Sequence, residues 1–214
     1  MEIKEIKNLI TKSASSLNIK KWDFGASFSN DFSVQVDKGE AKQLKASQKQ
    51  VMTIRVWNTR NLVGITTTSD LSENGLIKAL HQANIASNYG NDNEHTNFSP
   101  LSKEPIEEYN SQVNSPSGIK KLLKILRVAE EKLLKSNKAI KSIPYNGLSE
   151  SFFKRVYANS DGALRSYEKS QAALYLYARA EEDNKKPRSS GSVKLGYVVD
   201  DIDIDGCILE ASKK

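Results

Sequence analysis

Cysteine is almost missing: Cys207 is the one thiol in 214 residues, so no disulfide forms within the chain and no thiolate cluster can hold a metal. Histidine is nearly as scarce. His81 and His95 are the two, and Gln82 follows His81, so the H-E-x-x-H zinc motif is absent. With no second nitrogen ligand in register, the sequence offers no zinc site of its own. No apolar run approaches the roughly 20 residues that cross a bilayer. Residues 1–12 are charged throughout and lack the apolar centre of a signal peptide, which leads us to expect a cytoplasmic protein. Also missing are a glycine-rich phosphate loop, a nucleophile elbow and a Ser/His/Asp set. No catalytic, cofactor-binding or metal-ligating residue is assigned.

Charge is present, with a formal balance of +6. Its distribution argues against nucleic acid as a partner. Lys120, Lys121, Lys124 and Lys132 share one helical stretch with Glu130 and Glu131, the pattern of a solvated helix face rather than a phosphate footprint. Residues 201–206 (DIDIDG) imitate the start of a calcium loop. The twelfth position is Ser212 where a bidentate Glu is needed, so the stretch reads as a turn that opens a helix with an aspartate near its N-terminus.

What is there is alternation. Residues 51–57 place Met52, Ile54 and Val56 on one face and Thr53 and Arg55 on the other, a half-buried strand whose hairpin partner spans residues 62–68. Ser72 then caps a helix, with Leu71 and Leu76 spaced as a hydrophobic staple and Leu76, Leu80, Ala83 and Ala86 forming its apolar stripe. Upstream, Ile3, Ile6, Ile10, Ala14 and Leu17 predict an amphipathic helix. Residues 22–28 and 32–36 alternate on either side of Ser29, Asn30 and Asp31 and predict a second hairpin. Residues 41–49 predict a polar edge strand, where lysines discourage stray pairing.

Residues 93–117, with Pro100, Pro105 and Pro116, read as a linker, and Pro116 is expected in the first turn of the helix that follows. Ile119, Leu122, Leu126, Ala129 and Leu133 give that helix its core stripe. Beyond it, residues 152–158 and 163–167 predict one hairpin and residues 171–180 and 192–199 another. In the last pair Leu174 and Leu176 face one way and Tyr175, Tyr177 and Arg179 the other. Those tyrosines are either ordinary strand packing or a surface that grips an extended peptide. The fold class expected is α+β: two sub-regions of antiparallel strands, each covered by one or two amphipathic helices.

Residues 64–72 (GITTTSDLS) followed by an amphipathic helix resemble the signature segment of the TldD/PmbA family, first named as a modulator of DNA gyrase and understood as a peptidase system. Residues 37–40 (DKGE) are similar to that family's strand-ending turn, and residues 159–162 (NSDG) to its second segment. The resemblance runs from about Asp23 to the end of the sequence and favours the PmbA (TldE) branch. It implies a first segment over residues 1–92, a linker over 93–117 and a second segment over 118–214. The family's third segment, which holds the zinc ligands in the TldD branch, would begin where this sequence ends.

By the same resemblance the chain contributes wall and peptide alignment to a chamber that degrades unfolded peptides, and it pairs with a TldD-like subunit. That subunit would carry the zinc through an H-E-x-x-x-H motif, a motif absent here. The alternative reading is a stand-alone binding or scaffold protein, associated with nucleic acid through its basic balance, or an inactive truncated relic.

Overall fold

The computed structural model describes residues 2–90, 97–104, 113 and 116–213. His95, Pro105 and most of the expected linker lie outside the described residues. The fold is α+β, with a six-stranded sheet of order β3-β2-β1-β4-β5-β6. The strands are β1 (Lys21–Asp37), β2 (Glu40–Trp57), β3 (Val63–Thr68), β4 (Ile140–Asn159), β5 (Leu164–Ala180) and β6 (Arg188–Gly196). The helices are α1 (Ile3–Ser16), α2 (Glu73–Ser87), α3 (Ile119–Ser136) and α4 (Ile204–Ser212).

The chain divides into two compact units. One comprises Met1–Phe28, Lys49–Asn110 and Lys154–Glu168, and the other Ser29–Gln48, Ser111–Phe153 and Lys169–Lys214. Strands β1, β2, β4 and β5 each supply residues to both. These strands run to 17, 18, 20 and 17 residues, so alternating segments that read as separate short strands are continuous.

The first unit is built as the period-2 and period-3.6 patterns require. Trp22, Phe24 and Ala26 from β1 share a core with Met52, Ile54 and Val56 from β2 and Val156 and Ala158 from β4. Onto this face pack Ile6, Ile10 and Ala14 of α1 and Leu76, Leu80 and Ala83 of α2. Burying each leucine or isoleucine stabilises the unit by about 1.5–3 kcal/mol before entropy is counted. The expected hairpin is present: β2 pairs with β3 antiparallel from Met52↔Thr68 to Trp57↔Val63. Ser72 caps α2, its Oγ accepting from the Gly75 amide at 3.1 Å. Helix α2 lies so close on β3 that a Cβ on Gly64 would stand 2.0 Å from the Ala83 carbonyl oxygen, which explains a glycine within that strand.

In the second unit Leu122, Leu126, Ala129 and Leu133 of α3 and Cys207, Ile208 and Ala211 of α4 cover one sheet face, formed by Val34, Val36, Leu148, Leu174 and Leu176 among others. The register of β3 stops at Met52, so residues 40–48 of β2 extend past it, exposed except for a half-buried Ser47, as the edge reading expects.

Three expectations fail locally. Residues 29–31 are not a hairpin turn but part of β1. None of them takes positive φ, and Asp31 instead accepts from the hydroxyls of Ser29 and of Ser47 on β2. The chain reverses at Lys38 and Gly39, both at positive φ (53° and 79°) as a two-residue hairpin needs. Glu130 does not sit on a solvated helix face. It is buried, and its carboxylate accepts from the amides of Lys38 (3.1 Å) and Gly39 (2.7 Å), so a helix side chain fastens the strand turn. Pro116 precedes α3 rather than entering its first turn. Gly118, at φ 82°, is the N-cap, and the Ser117 amide donates to buried Glu150 at 2.6 Å.

Candidate functional site

Alternation along β5 gives the second unit two unlike faces. Leu174 and Leu176 are fully buried beneath the helices, while Tyr175, Tyr177 and Arg179 point the opposite way. The neighbouring strand continues the division. Ser192 and Lys194 of β6 bond Glu210 of α4, so Val193 and Leu195 lie on the helix-free face, opposite Tyr175 and Ala173 in the register. Val193 is 52% exposed, Leu195 66% and Tyr177 41%, an apolar concentration of the kind that marks an interaction surface.

The rings on this face are held. A Cβ on Gly147 would come within 2.4–2.5 Å of the Tyr175 ring and hydroxyl, and one on Gly191 within 2.3 Å of the Tyr177 ring, so each tyrosine lies against bare backbone. The Tyr175 hydroxyl also accepts from Gln35 Nε2 at 2.8 Å. A rigid aromatic surface loses little side-chain entropy when it takes a partner.

The first unit carries a polar cluster on its own helix-free face. Asp23 follows Trp22 and precedes Phe24, so it points away from the core, and yet it is only 1% exposed. Arg55 covers it with a bidentate pair, Nε to Oδ1 at 2.8 Å and Nη2 to Oδ2. The Tyr157 hydroxyl donates to Oδ2 at 3.2 Å and accepts from Asn159 Nδ2 at 3.4 Å. The hydrogen bond to Asp23, ahead of opposing desolvation, raises the Arg55 pKa, and burial raises that of the Tyr157 hydroxyl. Both therefore keep their protons at neutral pH, and neither is poised for acid–base work. Two cations approach the Trp57 ring, the Arg55 guanidinium at 5.3 Å and the Lys21 ammonium at 5.0 Å from its centre. Sequence reading missed the cluster, because its members stand 32 and 134 positions apart and nothing in their local pattern announces a meeting.

The remaining chemical groups are dispersed. His81 is exposed on α2. Cys207 is buried, with its Sγ donating to the Ser192 carbonyl at 3.6 Å, and burial pushes its thiol pKa up. The aspartates of residues 200–205 are engaged one by one. Asp203 caps α4 by accepting from the Gly206 amide at 2.9 Å, while Asp200 and Asp205 pair with Lys121 and Lys132 of α3. Among the described residues no three His, Cys, Asp or Glu side chains come together as a metal would need, so the groups present do not fit a zinc ion. No described helix is long and apolar enough to cross a membrane.

Residues 114–214 match the PmbA/TldA metallopeptidase central domain. No curated protein matches the chain. Among solved structures the chain is similar to TldE from Thermococcus kodakarensis (TM-score 0.82, 16% identity, 98% of this chain and 46% of that one). It is similar also to a candidate DNA gyrase modulator from Thermotoga maritima MSB8 (TM-score 0.79, 17% identity, 99% and 47%). A third, a candidate DNA gyrase modulator from Bacteroides thetaiotaomicron, gives a TM-score of 0.75 at 11% identity over 97% and 48%. At these identities the likeness is one of fold, and the chain spans about half the length of each of the three.

Proposed function

We infer, from the match of residues 114–214 to the PmbA/TldA metallopeptidase central domain, that the chain forms part of a PmbA-like subunit in a cytoplasmic, two-subunit metallopeptidase system. Its task there is to present a wall and a gripping surface to unfolded peptides, while a TldD-type partner carries the zinc and the attacking water. The observation that carries this reading is the helix-free face of Tyr175, Tyr177, Val193 and Leu195, rigid and open on strands of the family-matched domain. An extended peptide meeting such a face can set alternate side chains between the rings, which holds it straight for cleavage elsewhere.

The test is reconstitution. The isolated chain should cleave no unfolded peptide, and adding a zinc-bearing TldD-type subunit should produce chelator-sensitive cleavage. Val193→Asp with Leu195→Asp, at exposed positions, should leave the fold intact and raise KM for apolar peptides. Chelator-sensitive cleavage by the isolated chain would overturn the division of labour, and an unchanged KM in the double variant would overturn the gripping role.

A further inference from the structure

A second feature of the later unit has no place in that reading. Where α3, β5 and α4 end, a cleft of about 380 Å³ opens, within the size range of small-molecule sites. Its floor is apolar: Ile140, Ala178 and Ala211 are 7%, 3% and 1% exposed. Its rim is basic. Lys185, Lys186, Arg188 and Lys213 line it against the single carboxylate of Glu182, four positive charges to one negative. Lys185 is held by Glu182, whose pKa it depresses with help from Arg188. Lys186 and Lys213 make no ion pair among the described residues.

One polar atom inside is unsatisfied. The Ser190 hydroxyl is buried, lines the cleft and makes no hydrogen bond among the described residues, where buried polar groups almost always find a partner. Ser190 stands opposite Ala178 in the register, so the hydroxyl sits beside the apolar floor.

We propose that this cleft binds a small carboxylate bearing an apolar side chain, the C-terminal residue of a short peptide. The carboxylate lies against Arg188 and the lysine rim and takes the Ser190 hydroxyl as a donor, while the side chain covers Ile140, Ala178 and Ala211. A bare inorganic anion would leave that floor uncovered, and an uncharged apolar molecule would leave the rim and the hydroxyl unanswered. Naming a peptide as the source of the carboxylate rests on the peptidase reading above; the binding chemistry does not.

The experiment is an NMR titration of the 15N-labelled chain with N-acetyl-leucine, with N-acetyl-leucinamide and with inorganic phosphate. The acid should give saturable shifts at the Ala178 and Ser190 amides, and the amide should bind at least about tenfold more weakly. Arg188→Gln and Ser190→Ala should each weaken the acid about three- to tenfold with otherwise unchanged spectra, since among the described residues neither side chain makes an ion pair or hydrogen bond that holds the fold. Equal binding of acid and amide, or no saturable shift with the acid, would overturn the proposal. Phosphate binding as tightly as the acid would overturn its apolar half. The titration uses neither partner nor cleavage, so a failed reconstitution and an empty cleft are separate results.

Discussion

Removing either half of the Asp23–Arg55 pair should cost more than removing both at once would lead one to expect. Asp23 is 1% exposed and accepts three hydrogen bonds, two from Arg55 and one from Tyr157. Truncating the arginine leaves a buried carboxylate with the tyrosine alone. Breaking a fully buried pair costs 3–5 kcal/mol; because the Arg55 side chain is 46% exposed and its loss admits water, we expect about 3 kcal/mol for Arg55→Ala. Asp23→Ala forfeits all three charge-assisted bonds but leaves a guanidinium that turns to solvent, for about 2 kcal/mol. The double variant has no orphaned charge; it loses the same three bonds once, together with the Arg55 contact on the Trp57 ring, and should cost about 3 kcal/mol rather than 5, a coupling of about 2 kcal/mol. Urea unfolding of the four proteins, followed by circular dichroism, measures it. Additivity within about 0.5 kcal/mol would show that the pair lies idle on the surface and would refute the reasoning.

Four other outcomes follow from the same structure. Glu130→Ala should lose about 2–3 kcal/mol, because the Lys38 and Gly39 amides lose their acceptor at a turn of positive φ; unfolding midpoints check it. Gly64→Ala should destabilise by about 1–3 kcal/mol or more, as α2 must move off β3 to admit the methyl group, and a native-like melting temperature would contradict the close approach. Leu126→Ala, deep in the second core, should cost about 2–5 kcal/mol in the same assay. Burial raises the Cys207 pKa in the folded chain, while the unfolded thiol ionises near about 8.5. Its contribution is therefore whole below that pH and is lost as pH rises toward the folded value, so melting temperature should fall above about pH 8.5, and less steeply in Cys207→Ala.

Much of the architecture was legible because local patterns suffice for it. The alternation of residues 51–57, the Ser72 cap and the stripes of α1, α2 and α3 each belong to one face or one end of one element, and each is present in the structure. So do the opposed faces of Leu174 and Tyr175. The hydrophobic period depends only on which side of an element meets water, and that is written along the chain.

The rest depends on neighbours far away in sequence. Ser29, Asn30 and Asp31 look like a turn until Ser47 is placed beside them, and Glu130 looks solvated until the Lys38–Gly39 turn reaches it. Asp23 acquires Arg55 and Tyr157, and Ser190 acquires its basic cleft, only when strands and helix ends are brought side by side. A polar side chain carries no sequence mark of whether its partner will be water or protein. Periodicity told which faces are apolar, whereas the fates of the buried charges and hydroxyls were decided by tertiary contacts, since desolvation makes a polar group depend on whichever partner the fold supplies.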